Sequence, residues 1–270
     1  MIGGRAAEPP ARRTRRRYRP GVGIDLRAAV AEHGDGLEAA ARGRLDAPVP
    51  ACPGWLVGDL VRHVAEVELW WAAALPAGGA APDVDGVRRE VGELFAGEGQ
   101  AGLRLASARL RDAAGRVGDD APVWAWWSPT GRTPATEVLR RVAHELVVHH
   151  HDAREAVGEP LAVVPELAED GVAEFTERFL GGDLGRPGVV GLRAVDTGRT
   201  WLVGSVGDGL RLLTADEADR VRAGGGVEGA LSGTAELLHL ALWRRVALDR
   251  LVVEGDGELA RATITASRLG

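Results

Sequence analysis

Cysteine is almost absent from this 270-residue chain, which carries only Cys52. One cysteine excludes an internal disulfide and any metal site built from several thiolates, and it fits a reducing, cytoplasmic setting. No apolar stretch approaches the roughly 20 residues that a membrane span needs. Excess positive charge is lacking too: the net charge is −6, which argues against nucleic acid as the main partner of the folded body. Lys, Ile, Phe and Tyr are scarce, while Ala, Arg, Gly, Val and Leu dominate, a bias expected of a high-GC genome. Against three Phe and one Tyr the eight tryptophans stand out, and they are expected to supply most of the aromatic surface of core and pocket.

What is present suits two modest domains. Apolar residues make up 45% and charged residues 27%, enough for packed cores. Residues 1–22, basic and rich in Pro and Gly, have no apolar stripe and are expected to form a disordered leader. Four helical segments follow. The first spans about Asp25 to Arg42, and "VPACPGW" breaks the chain after it. The second runs from about Leu56 to Leu75. The third covers roughly Val87 to Val117, broken or kinked near "GEGQAG". A tryptophan-rich loop, residues 118–134, leads to the fourth, which starts after Pro134 and stops at Gly158–Pro160. Four helices so joined predict an antiparallel bundle over residues 23–160. Beyond it, "PELAEDGVAEFTERFL" reads as an amphipathic helix. Short β-like runs ("GVVGLRAVD", "RTWLVGSVG", "GLRLLTA", "VEGALSG") then alternate with a helix in "TAELLHLALWRRV" and a strand, turn and helix in "LVVEGDGELARATITA". This predicts a small α+β domain over residues 161–270.

The stretch "HELVVHHHDAREAVG" holds four of the seven histidines. On a 3.6-residue wheel, Glu145 and His149 point the same way, about 40° apart, on the side of Val138, Val142 and Ala153. His144, His150 and His151 fall on the other side or its border and are expected to be solvated. A bare inward carboxylate costs several kcal/mol unless a cation matches it. Arg141, four residues earlier, would do so from the edge, and a metal from the centre. On the second helix His63 is likewise an inward polar residue on an apolar stripe. His63, Glu145 and His149 thus form either a three-donor set of the kind that leaves a divalent ion one open position, or two core histidines and an arginine-paired glutamate. Asp152 either holds the second ring nitrogen of His149 or pairs with Arg141 or Arg154. For Trp124, Trp126 and Trp127, capping the bundle is preferred over lining a pocket mouth. Cys52, with no base in view, reads as a small loop residue, and Trp55 as a packing anchor for the second helix.

Three segments carry a resemblance. "CPGWLVGDLVRHVAEVE", "RRVAHELVVHHHDA" and "LSGTAELLHLALWRRVALDRLVVEGDGELA" occur in the order found in the mycothiol-dependent maleylpyruvate isomerase family. The resemblance covers residues 24–270 and implies a DinB-like four-helix bundle followed by a sterol-carrier-like α+β domain. It further implies a divalent metal, zinc by preference, on His63, Glu145 and His149, and mycothiol as thiol cosubstrate acting on a small-molecule electrophile. The family's C-terminal arginine falls at Arg245, where it would bind a substrate carboxylate. Here the preceding family glycine is Arg244, and a surface arginine at a helix end is the competing reading. The function expected is a metal- and mycothiol-dependent isomerase or S-transferase. A non-enzymatic metal- and ligand-binding protein, or a hydrolase using metal-bound water, are the alternatives.

Overall fold

The computed structural model describes residues 23–96, 99–182, 184, 186–205 and 209–267. The leader expected over residues 1–22 lies outside them.

The N-terminal half contains five helices: α1 (Leu26–Ala41), α2 (Val57–Ala74), α3 (Val84–Leu94), α4 (Gly99–Arg116) and α5 (Ala135–Ala156). Asp25 starts α1 by accepting a hydrogen bond from the Ala28 amide at 3.0 Å. Asp59 closes the start of α2 by accepting from the Leu56 amide at 2.9 Å. Between these helices, residues 49–55 fold on themselves: the Val49 amide donates to the Trp55 carbonyl at 2.9 Å and the Cys52 amide to the Val49 carbonyl at 3.1 Å. That loop sets Cys52 and Trp55 at the head of α2. The long helices pack in pairs, α1 on α5 and α2 on α4, with further contacts of α1 to α4 and α2 to α5. The segment expected over Val87–Val117, broken or kinked near "GEGQAG", is two helices, α3 ending at Leu94 and α4 beginning at Gly99. The loop before α5 is also more ordered than the sequence suggested. It forms a two-stranded ribbon, β1 (Pro122–Trp124) and β2 (Arg132–Pro134), closed by a turn with Gly131 at φ +69°.

The C-terminal half begins with α6 (Pro165–Arg178), which carries proline in its first turn, where no amide is needed. Five strands follow: β3 (Gly188–Ala194), β4 (Thr200–Ser205), β5 (Leu210–Leu212), β6 (Gly229–Gly233) and β7 (Val252–Gly255). They form one sheet in the order β5-β4-β3-β6-β7, in which only the β3–β6 pair is parallel. The parallel crossover carries α7 (Ala215–Gly224), while α8 (Ala235–Leu242) and α9 (Gly257–Thr265) follow β6 and β7. Alternation along the strands sends Val190, Leu192, Trp201 and Val203 into the main core. Leu202 and Val189 face a smaller cluster under α7 with Leu213 and Ala218. The main core is continuous from α1 to α9. Among the described residues no helix is long and apolar enough to cross a membrane.

Two layers of protein flank α5, which overturns the solvated reading of its outer histidines. His144 is fully buried, 2.8 Å from Asp170 on α6, and Arg140 beside it donates to the same carboxylate at 2.8 Å and to Glu177 at 2.8 Å. His150 is buried against α1, its Nδ1 3.2 Å from that of His33, and His151 is half-buried. The wheel identified one apolar stripe correctly. It gave no sign that long polar side chains on the opposite face are covered by the second half of the chain.

Candidate metal and thiol site

α5 places Glu145, His149 and Asp152 on one side at spacings of four and three, and α2 brings His63 opposite. One ligand atom from each of His63, Glu145 and His149 lies within 4.8 Å of the others. Glu145 Oε1 is 3.5 Å from His63 Nε2 and 3.1 Å from His149 Nε2. The second carboxylate oxygen of Glu145 accepts from Arg141. Glu145 is therefore compensated at the edge by the arginine while its other oxygen still faces both imidazoles. The two compensations that the sequence set against each other are compatible.

The supporting groups fix orientation. Asp152 Oδ2 lies 2.9 Å from His149 Nδ1, which leaves Nε2 turned to Glu145. Of the two readings of Asp152, the structure shows the partner of His149. Neither Arg141 nor Arg154 takes that place; Arg245 does, donating to the two oxygens of Asp152 from Nε at 3.0 Å and Nη2 at 2.9 Å. Arg245 is thus no surface arginine, and it reaches the donor set through Asp152. Its Nη2 is also 3.7 Å from Cys52 Sγ, which sits 3.9 Å from Asp152. Arg244 has φ +60°, a left-handed backbone, so the turn that a glycine would make is kept with an arginine in its place. The Trp55 ring meets His63 edge-on at 5.3 Å and holds the imidazole toward Glu145.

Charge follows from these contacts. Burial alone would raise the Glu145 carboxyl, but the Arg141 guanidinium and hydrogen bonds from His149 and His63 hold it well below the usual range. Burial would lower the His149 imidazole, and its bonds to Asp152 and Glu145 instead raise it to about 9. Asp152 stays ionised: burial opposes this, and His149 and Arg245 outweigh burial. Burial, with the Asp152 carboxylate beside it, pushes the Cys52 thiol up, which agrees with its reading as an inert loop residue. A convergent carboxylate and two imidazole nitrogens, each orientated by a second partner, is a donor set that fits a divalent ion.

Two cavities share His63 and Glu66 as walls. One, of about 450 Å³, is polar and lined by Gly54, Trp55, Asp59, Arg62, His63 and Glu66. The other, of about 470 Å³, is largely aromatic and reaches Arg141 and Glu145. Trp124 and Trp126 line it, so they belong to the pocket mouth and do not merely cap the helices; Trp127 packs behind them on Trp71 at 5.6 Å. Trp70 and Trp71, which the helical wheel sets either side of His63, also line it, as do Phe179 and Trp243, which were not identified from the sequence. The signal available was the tryptophan count and the adjacency of Trp243 to Arg245.

Residues 26–154 match the sequence model of the mycothiol maleylpyruvate isomerase N-terminal domain. No curated protein matches the chain. Among solved structures it is similar to the crystal structure of the mycothiol-dependent maleylpyruvate isomerase, with 14% identity, TM-score 0.60, and coverage of 85% of this chain and 92% of that chain. A histidine-to-alanine mutant of that isomerase matches at 14% identity and TM-score 0.59 with the same coverage, 85% and 92%. Identity this low speaks for the fold. Residues 26–154 are thus similar in sequence to the mycothiol maleylpyruvate isomerase N-terminal domain, and the chain shares the fold of the solved isomerase.

Proposed function

We propose that the protein is a mycothiol-dependent enzyme, an isomerase or S-transferase, that binds a divalent ion, zinc by preference, on His63, Glu145 and His149. The observation that carries this is the convergence of those three donors within 4.8 Å at the meeting of two cavities. A divalent ion bound there supplies the positive charge that makes a thiol ionise near neutral pH. The chain's own residues do the rest. Arg141 holds one oxygen of Glu145 and leaves the other for the donor set. Asp152 fixes the His149 ring, and Arg245 fixes Asp152, so Arg245 is a positioning residue in this reading. The polar cavity, with Asp59, Arg62 and Glu66, offers hydrogen bonds to the sugar portion of the thiol. The aromatic cavity offers the electrophile apolar ring surface.

In this reading residues 23–160 are a DinB-like bundle and residues 161–270 a sterol-carrier-like domain that completes the site with Arg245 and Trp243. The scarcity of cysteine fits a reducing cytoplasm. Metal content and mycothiol binding of the wild type and of His149→Ala test the proposal. We expect one bound metal and thiol affinity in the wild type, and loss of both in a variant that remains folded. A wild type that takes up no divalent ion, or binds mycothiol equally well without one, overturns it.

A further inference from the structure

The aromatic cavity beside the donor set is walled by Trp70, Trp71, Trp124, Trp126, Trp243 and Phe179, so five of the chain's eight tryptophans face one space. Arg141 is the one cation among the residues lining it. Its charge is already met by Glu145 and by Glu174, the latter at 3.0 Å, and its guanidinium carbon lies over the rings of Phe179 at 5.1 Å and Trp243 at 5.0 Å. Arg245, the residue that the resemblance assigns to a substrate carboxylate, does not line this cavity and is chelated by Asp152. Glu66 adds a carboxylate to the wall. A dianion entering here would lose its water without gaining an uncommitted guanidinium. A flat apolar ring would bury its surface against aromatic rings that are already set edge-on to one another, Trp70 to Trp124 at 5.7 Å and Trp126 to Phe179 at 6.2 Å.

We propose that the electrophile taken by this protein is an uncharged aromatic one, of the aryl-conjugated carbonyl or quinone class, and not a small dicarboxylate. The proposal rests on the thiol-dependent reading above and narrows its substrate. The reaction is conjugate addition. The sulfur electron pair forms a C–S bond at the β-carbon, the alkene π pair moves onto the carbonyl, and the thiol proton ends on the α-carbon. Nothing is oxidised or reduced and no group leaves.

Calorimetric titration of the full chain with two unreactive probes, 1-naphthalenemethanol and maleate, tests this. We expect the neutral probe to bind at least tenfold more tightly, with or without added zinc. Trp126→Ala, at a site 59% exposed and so harmless to folding, and Trp124→Ala should each weaken it roughly three- to tenfold. Glu66→Gln, which removes a carboxylate from the wall, should improve maleate. Maleate binding as tightly as the neutral probe, or tryptophan variants with unaltered affinity, overturns the assignment. If zinc and mycothiol bind but maleate wins, the substrate class falls and the enzyme reading stands. If the neutral probe binds in the cavity but zinc and mycothiol do not, the enzyme reading falls and the preference of the cavity stands.

Discussion

Single side chains carry two consequences that can be measured. Asp152 has no direct place among the three donors, yet it holds His149 Nδ1 and is held by Arg245. Asp152→Asn keeps the shape and removes the charge that fixes the ring, and partners of this kind are worth roughly 10–100-fold in metal affinity. Competition with a chromophoric chelator should show a loss of that size with the fold intact. Glu68 on α2 is a second case, away from the site. It is buried, the Ser107 hydroxyl donates to it at 2.7 Å, and burial raises its carboxyl to about 7. A carboxyl raised in the fold binds a proton that the unfolded chain has released. Its favourable contribution is therefore present below the unfolded value near 4.5 and is lost as pH rises through about 7. The loss amounts to about 3 kcal/mol. Denaturant unfolding at pH 5 and pH 8 should show Glu68→Gln gaining on the wild type by about that amount at the higher pH. Equal differences at the two pH values would exclude a protonated Glu68.

At the scale of elements, close approach decides what the pattern of apolar residues leaves open. α1 meets α5 where Gly36 faces His150: a Cβ at Gly36 would stand 2.2 Å from the imidazole, which is itself buried beside His33. Gly36→Ala gains about 1 kcal/mol of helix propensity and forces a buried ring to move, at about 1–3 kcal/mol. The expected result is net destabilisation in chemical unfolding; a more stable variant would show that the α1–α5 contact is loose. The sequence yielded α1, α2, α5 and α6 to within a residue or two because each has an apolar stripe and a clear stop. α7 was not identified, although Thr214 and Glu217 form a capping box at its start, with Thr214 accepting from the Glu217 amide at 3.4 Å. Its polar surface and single buried alanine, Ala218, gave no period to read. The β1–β2 ribbon was missed for a related reason: two three-residue strands are too short for alternation to show.

For the whole molecule, the join between the halves is polar at its centre. Arg140, His144 and Asp170 are all buried, and Asp170 receives both the guanidinium and the imidazole at 2.8 Å. Arg141 and Arg178 reach Glu174 on the same helix. Removing one partner of such a pair leaves an uncompensated buried charge, which costs about 3–5 kcal/mol. Asp170→Asn should lower stability by that amount in equilibrium unfolding and should loosen Arg245 and Trp243 from the site, weakening thiol affinity in parallel. A loss below about 1 kcal/mol would mean that water enters the join. The sequence by itself determined the helical stripes, the run of short strands in the second half, and the shared side of Glu145 and His149 on α5, because those depend on periods of 3.6 and 2 within one element. Only the tertiary structure decided that α5 has two covered faces, that Arg245 serves Asp152, and that five tryptophans from distant segments enclose one cavity. Those facts depend on which surfaces meet between separate elements, 26 residues apart for His144 and Asp170 and 93 apart for Arg245 and Asp152, and no local pattern encodes that choice.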